Sequence, residues 1–200
     1  MSMTRQHLQE CLDAWVRDIR AQEDLPAFAA ALLYDGNVMV SADGARKAGH
    51  PAQVTAGDKF HFGSNSKAVT AAIIHQLVDE GLLRADATLA ALFPELDVHP
   101  GYGNVTVTQL LTHTGGVPGD HDGLQELIAA NDGMTATQLG AEIARLRLAE
   151  GPVAAGSGVF EYSNQGYVLL GVIAERATGM AFDDLARQRI FVPLDMPSAG

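Results

Sequence analysis

The sequence has little of what several large classes of protein require. It contains one cysteine, Cys11, which cannot close a disulfide within the chain and fits a reducing compartment. No apolar run is long enough to span a bilayer, and charged residues interrupt the amphipathic stretch 3–22, so it does not have the pattern of a secretory signal. We therefore expect a cytoplasmic protein, although a mature exported protein given a new start methionine has the same appearance.

Positive charge is also scarce. Lys and Arg number 13 against 24 Asp and Glu, which gives a formal net charge of −11. Such a surface repels phosphate backbones and anionic lipids, so we expect neither nucleic acid nor a membrane as a partner. A small-molecule substrate fits this composition better.

Several catalytic patterns are absent from the chain. It has no G-x-S-x-G of the α/β-hydrolases, no G-x-G-x-x-G and no P-loop. The pairs H-x-H and H-E-x-x-H, typical of zinc hydrolases, are missing too, and His121 in the stretch 120–123 is more simply explained by a solvated loop. We expect no metal and no other cofactor.

What is present indicates a globular protein, 47% hydrophobic and 18% charged. Residues 3–22 predict an amphipathic helix with Leu8, Leu12, Trp15, Val16 and Ile19 on one face, and Cys11 packed among the apolar positions. Further on the pattern is mainly helical. It predicts a buried helix from Ser64 to a C-cap at Gly81, and then a short helix or turn within 82–96. Further helices are predicted over 107–113, from Thr135, over 167–178 and over 182–191.

Residues 28–34 and 38–41 flank Asp35-Gly36-Asn37 and predict a β-hairpin. A second loop is expected at Asp43-Gly44, and an extended segment at 59–63. A lone hairpin is marginal in water, and no further strand is evident between residues 65 and 200. We expect that a missing C-terminal segment or a partner chain completes the sheet.

The stretch Ser64-Asn65-Ser66-Lys67 is the strongest chemical candidate. It lies where an extended segment changes to an apolar helical run, so Ser64 is predicted at a helix N-terminus with Lys67 one turn later on the same face. The helix dipole favours negative charge beside Ser64, and a lysine of depressed pKa can take the hydroxyl proton. Ser66 is expected to support this first turn. In isolation, however, S-x-x-K is more often an ordinary helix start.

Tyr162-Ser163-Asn164 is the second candidate, just before a predicted helix. A tyrosine beside a cation can shuttle a proton, and Asn164, on a similar side if the segment is extended, can bind a substrate carbonyl or the lysine. A buried tyrosine followed by an N-cap asparagine is the structural alternative. The same string at 102–104 is interpreted as a turn, His113 as a structural helix end, and 47–49 as a loop.

Four segments in order resemble the serine β-lactamase-related family of class C β-lactamases, DD-peptidases and β-lactamase-like esterases. They are FGSNSKAVTA at 62–71, QLVDEG at 76–81, LLTHTGGVP at 110–118 and YSNQGYVLLG at 162–171. The resemblance covers about 28–200; Ala155, where relatives often have proline, is a minor departure. It implies an α+β fold of the β-lactamase and penicillin-binding-protein type, in which an antiparallel sheet domain and an all-helical domain flank the site.

By this resemblance, 1–63 holds the N-terminal helix and hairpin of the sheet domain, and 64–200 holds the nucleophile helix and the helical domain. It implies Ser64 as acylated nucleophile, Lys67 as its proton partner, Tyr162 as general base or acid and Asn164 as a substrate ligand. The family's strand-borne K-T-G or H-x-G element, which also supplies an oxyanion donor, has no match after Tyr162. The C-terminal strands of the sheet are therefore expected to be absent from this chain.

The function predicted from these observations is a metal-free serine hydrolase that forms an acyl-enzyme with an ester, a β-lactam or a D-amino-acid amide. The lack of an export signal favours an ester. The alternative is a truncated or non-catalytic module that keeps the fold for binding or assembly.

Overall fold

The computed structural model describes residues 4–119, 129–130, 133–152 and 158–200. The chain forms two compact units, Met1–His61 and Phe62–Gly200. The assignment of 1–63 to a sheet domain and 64–200 to a helical domain stays a prediction. Within the described residues, no helix has the length and apolar character needed to cross a membrane.

The first unit begins with helix α1, Arg5–Gln22, whose N-cap Thr4 accepts a hydrogen bond from the backbone N–H of His7. Leu8, Leu12 and Val16 are buried against the hairpin. The predicted apolar face is wrong for two members, since Trp15 is 65% and Ile19 41% exposed. Two strands about 5 Å apart form a sheet that is too narrow to cover the whole apolar face of α1.

Cys11 of α1 is half-buried rather than enclosed in the core. Its Sγ lies 3.8 Å from Nε2 of His7, one turn earlier on the helix. The prediction that Cys11 packs in the interior is therefore correct only in part, because Cys11 lies at the border of the helix face that packs on the hairpin.

Strands β1, Ala27–Tyr34, and β2, Asn37–Gly44, form an antiparallel two-stranded sheet with Tyr34 opposite Asn37. Asp35 and Gly36 have φ of 48° and 72°, as a two-residue hairpin turn of the primed type requires. The predicted hairpin is confirmed, but the predicted loop at Asp43-Gly44 is wrong because β2 continues to Gly44. No strand forms at 59–63, since those residues find no partner strand among the described ones.

The second unit is helical. Its helices are α2 Ser66–Asp79, α3 Leu89–Leu92, α4 Val107–Leu111, α5 Ala136–Glu150, α6 Asn164–Thr178 and α7 Phe182–Ala186. Two 3₁₀ turns, Gly63–Asn65 and Pro100–Tyr102, and a π turn, Arg187–Phe191, complete the described elements. The predicted 182–191 helix is thus divided, because the backbone changes to the wider π turn at Arg187.

The core of this unit forms where α2 packs against α6. Ile73, Ile74 and Leu77 from α2 and Leu169 and Leu170 from α6 are fully buried. Burial of each such side chain contributes about 1.5–3 kcal/mol, so this contact fixes the two helices that carry the candidate site.

Local signals set the ends of several helices. Complete capping boxes open α4 at Thr106 and α5 at Thr135, as predicted. Gly81 follows α2 with φ of 72°, also as predicted. Helix α4 ends two residues earlier than expected because His113 has a left-handed φ of 57°. A helix-rich chain with a small antiparallel sheet confirms the α+β class.

Candidate active site

Ser64 lies in the 3₁₀ turn Gly63–Asn65 that leads directly into α2. Gly63 enters this turn with φ of 58°, a conformation that glycine adopts at low cost. The side-chain amide of Asn65 donates to the Phe62 carbonyl at 3.0 Å and so ties the turn to the segment before it. The Ser64 side chain is exposed. The predicted helix start at Ser64 is wrong by two residues, because the backbone forms this 3₁₀ turn before α2 begins at Ser66.

Lys67 is half-buried in the first turn of α2. Its Nζ lies 3.3 Å from Oγ of Ser64 and 2.6 Å from Oδ1 of Asn164. The spacing of three residues therefore places amine and hydroxyl in contact, and the second helix supplies an acceptor that fixes the amine.

Tyr162 completes the group. Its hydroxyl donates to Ser64 Oγ at 2.8 Å, and Lys67 Nζ lies 4.8 Å from the centre of its ring. The lysine thus lies over the face of the phenol ring while the phenol hydroxyl contacts the serine. The structure thus brings together all four predicted residues, Ser64, Lys67, Tyr162 and Asn164, and all four belong to the second unit.

The backbone at Asn164 differs from the expectation. An extended segment was the condition for Tyr162 and Asn164 to face a similar side, but Asn164 is the first residue of α6 and Ser163 is the N-cap. The buried Ser163 hydroxyl accepts from the N–H of Gly166 at 2.8 Å, and this bond starts the helix three residues before the predicted start at 167. Asn164 reaches Lys67 from a helix terminus, so both helices present their first residues to Ser64.

The T-H-T-G-G-V-P-G segment anchors the turn from Tyr162 into α6. Ser163 Oγ donates to the Pro118 carbonyl at 2.7 Å, and the N–H of Asn164 donates to the Gly119 carbonyl at 3.1 Å. A Cβ at Gly119 would lie 3.0 Å from the Tyr162 carbonyl oxygen. The glycine therefore allows a close approach that a larger residue could keep only if the neighbouring backbone shifted by a few tenths of an ångström.

The ring of His113 lies beside the candidate catalytic residues, which its interpretation as a structural helix end did not predict. Its ring centroid is 4.6 Å from that of Tyr162 and 5.0 Å from that of Tyr167. Partial burial, and then the positive charge of Lys67, lower the pKa of His113 below its ordinary value. Tyr167, which was not among the predicted site residues, has its ring 5.6 Å from Lys67 Nζ. The position of Tyr167 one helical turn after Asn164 was the signal available in the sequence.

The competing candidates have other roles. Tyr102 is more than a turn residue, because it is fully buried and its hydroxyl donates to the Gly151 carbonyl at 2.8 Å. Residues 47–49 form a loop, as expected. His121 and Ala155 lie outside the described residues. Among the residues that the structure describes, no three His, Cys, Asp or Glu side chains are grouped to hold a metal ion.

Comparison with known families gives the same assignment as the geometry. Residues 12–200 match the family model described as Beta-lactamase, and the chain belongs to that family. Penicillin-binding protein 4 of Amycolatopsis lactamdurans is 32% identical over 207 residues, which cover 98% of this chain and 49% of that protein. The resemblance inferred from the four segments is therefore confirmed.

Solved structures confirm the fold. The D-amino acid amidase from Ochrobactrum anthropi SV3, complexed with L-phenylalanine amide, superposes with a TM-score of 0.74 at 27% identity, over 95% of this chain and 52% of that one. The octameric penicillin-binding protein homologue from Pyrococcus abyssi superposes with a TM-score of 0.74 at 28% identity, over 94% of this chain and 43% of that one. The chain thus spans about half the length, or less, of these relatives.

Proposed function

We propose that this chain carries the nucleophile and the proton-transfer groups of a serine hydrolase that works through an acyl-enzyme. One observation supports this most strongly: Ser64 Oγ is within hydrogen-bond distance of both Lys67 Nζ and the Tyr162 hydroxyl. A serine that is only an N-cap needs neither contact. Two groups able to hold its proton are what an activated nucleophile requires.

In the proposed reaction, Ser64 Oγ bonds to a substrate carbonyl carbon while its proton passes to Lys67 or Tyr162, whichever of the two is deprotonated at that moment. The tetrahedral intermediate then expels the leaving group, which takes up that proton. Water hydrolyses the acyl-enzyme in a second addition and elimination, which releases the acid and restores the serine. Asn164 holds the lysine through its Oδ1, 2.6 Å from Nζ. We propose that Asn164 also contacts the substrate.

The proposed substrates are carboxylic esters, D-amino-acid amides and β-lactams, with esters first. An ester can expel an alkoxide or phenolate directly, whereas the nitrogen of an amide must be protonated before it leaves, so an ester depends less on help from a general acid. Amides are supported by the likeness to a D-amino acid amidase, and β-lactams by the family description. A chromogenic ester is therefore the first substrate to assay.

The decisive experiment is covalent labelling of the full-length protein with a fluorophosphonate, followed by mass spectrometry of the labelled peptide. We expect the adduct on Ser64 and none in Ser64→Ala. Ser66→Ala is the matched control, because Ser66 lies two residues away and begins α2. Its labelling should equal that of the wild type.

An adduct on any other residue, or unchanged ester turnover in Ser64→Ala, would contradict the proposal. Complete absence of labelling and turnover in the folded full-length protein would instead favour the alternative, a non-catalytic module that keeps the fold for binding or assembly.

A further inference from the structure

We propose that His113 is a positioning residue of this site, and that it works as a neutral imidazole whose Nδ1 accepts a hydrogen bond. This inference rests on the proposed function, because its effect is the orientation of Tyr162 toward Ser64.

His113 binds the backbone on both sides of Tyr162. Its carbonyl oxygen accepts from the N–H of Glu161 at 2.8 Å, and its ring Nδ1 accepts from the N–H of Ser163 at 3.0 Å. One residue therefore holds the N–H groups of the residues immediately before and immediately after the tyrosine. A displacement of the Tyr162 backbone would strain these two bonds.

The imidazole ring also holds the phenol ring. It packs against Tyr162 and Tyr167, in each case with the ring planes at 35°, and forms a T-shaped pair with Phe160 whose ring centroids are 5.9 Å apart. Tyr167 is itself fixed, since its hydroxyl donates to the Leu111 carbonyl at 3.1 Å. The stack thus gives Tyr162 a firm support on the side of His113, while its hydroxyl reaches Ser64 at 2.8 Å.

The contacts require a particular protonation state. An imidazolium carries a proton on both nitrogens, so Nδ1–H would face the N–H of Ser163 and the bond would be lost. The titratable groups around the ring are Lys67 on α2, the phenols of Tyr162 and Tyr167, and Glu161, which lines the same small crevice. The positive charge of Lys67 opposes a second cation beside it, and burial acts in the same direction on the pKa.

The left-handed backbone at this position offers a well-matched variant. Asparagine tolerates a φ of 57° better than other non-glycine residues, and its Oδ1 can accept from Ser163 in place of Nδ1. His113→Asn therefore keeps the backbone and the acceptor but removes the ring and the titration. His113→Phe keeps an aromatic ring and removes the acceptor, and His113→Ala removes both.

The experiment measures kcat and KM of ester hydrolysis, and the rate of Ser64 labelling, in the full-length protein from pH 5 to 9. We expect His113→Ala and His113→Phe to lower kcat by about 10- to 100-fold, the cost of a misplaced catalytic group, with KM changed little. His113→Asn should recover most of kcat at pH 8. It should also lack the loss of rate at acid pH that we expect in the wild type, a loss that falls below the ordinary imidazole pKa of about 6.5 because burial and Lys67 lower the pKa of His113.

Nitrogen chemical shifts of His113 test the protonation state without turnover. An unprotonated Nδ1 with the proton on Nε2 at pH 7.5 is the expected result. A protonated Nδ1 at that pH would overturn the proposal. Equal kcat in the wild type and all three variants would overturn it too, while labelling of wild-type Ser64 would leave the proposed function standing. If wild-type Ser64 is not labelled at all, the proposed function itself fails, and the positioning role with it.

Discussion

Lys67 Nζ and Asn164 Oδ1 lie 2.6 Å apart although 97 positions separate the two residues in sequence. The contact joins the first turns of α2 and α6, whose buried faces pack together in the core of the second unit. The lysine is thereby held between an amide oxygen and the Ser64 hydroxyl, 3.3 Å away. The position of the amine thus depends on the packing of two helices.

We expect Lys67→Ala to slow labelling of Ser64 by about 10²–10⁴-fold, the usual contribution of a positioned acid or base. Lys67→Arg should not restore the rate, because a guanidinium stays protonated and cannot take the serine proton. The measurement is the pseudo-first-order rate of reaction with a fluorophosphonate. Lys47→Arg, in a loop of the first unit, is the control and should react like the wild type.

Tyr162→Phe keeps the ring that stacks on His113 and removes the hydroxyl that contacts Ser64. If the phenol transfers the proton, kcat for a chromogenic ester should fall by about 10²-fold or more while KM changes little. Tyr34→Phe removes a hydroxyl from a half-exposed tyrosine in the hairpin and should have no effect. A Tyr162→Phe enzyme with unchanged kcat would leave Lys67 as the only proton acceptor of the pair.

Local spacing was enough to predict much of this site. The serine and lysine are three residues apart where a 3₁₀ turn leads into α2, so their contact follows from local helical geometry. The capping boxes at Thr106 and Thr135 and the Asp35-Gly36 turn are likewise set by neighbours in sequence.

Contacts between distant segments could not be predicted in this way. His113 meets Ser163 across 50 positions, and nothing near His113 in sequence shows that its ring faces a tyrosine. The exposure of Trp15 depends on how much of α1 the hairpin covers, which the helix pattern does not contain. Burial of Arg147, 4% exposed on a helix where charge predicts a solvated face, is a tertiary effect of the same kind.

Ser163→Ala tests the anchor of the Tyr162 segment. The mutation removes the N-cap of α6 and leaves the Pro118 carbonyl without its hydroxyl donor. We expect the free energy of unfolding to fall by about 1–3 kcal/mol, as for a lost cap plus a buried hydrogen bond. Urea denaturation measures it, with Ser198→Ala at an exposed position as the control. A change no larger than that of the control would contradict the anchoring role.

Tyr102 should make the protein sensitive to alkali. Burial raises the pKa of this phenol from 10.0 to about 12, so the folded state keeps the proton that the unfolded chain releases. The contribution of this group to the free energy of unfolding is fully present below pH 10 and is lost as the pH rises through 12. The loss amounts to about 3 kcal/mol at most, because each unit of pKa shift corresponds to about 1.36 kcal/mol. Tyr102→Phe should remove this dependence on pH. The mutation also lowers the stability at pH 8, because it removes the hydroxyl that donates to the Gly151 carbonyl. The test is urea denaturation at pH 8, 10 and 11; equal slopes against pH in both proteins would refute it.

Arg147 is the least well satisfied buried group that the structure describes. Its Nη1 pairs with Glu150 at 2.7 Å, but Nε and Nη2 are buried without a hydrogen-bond partner. The desolvation of two N–H groups without partners costs more free energy than one ion pair with a half-exposed carboxylate contributes. Arg147→Met should therefore leave the free energy of unfolding unchanged or raise it by about 1–3 kcal/mol. Glu150→Gln should lower it, because the buried charge then loses its counterion. Arg145→Met on the exposed side of α5 is the control for a lost surface pair. A clear loss of stability in Arg147→Met, measured by urea denaturation, would show that the guanidinium stabilises this core after all.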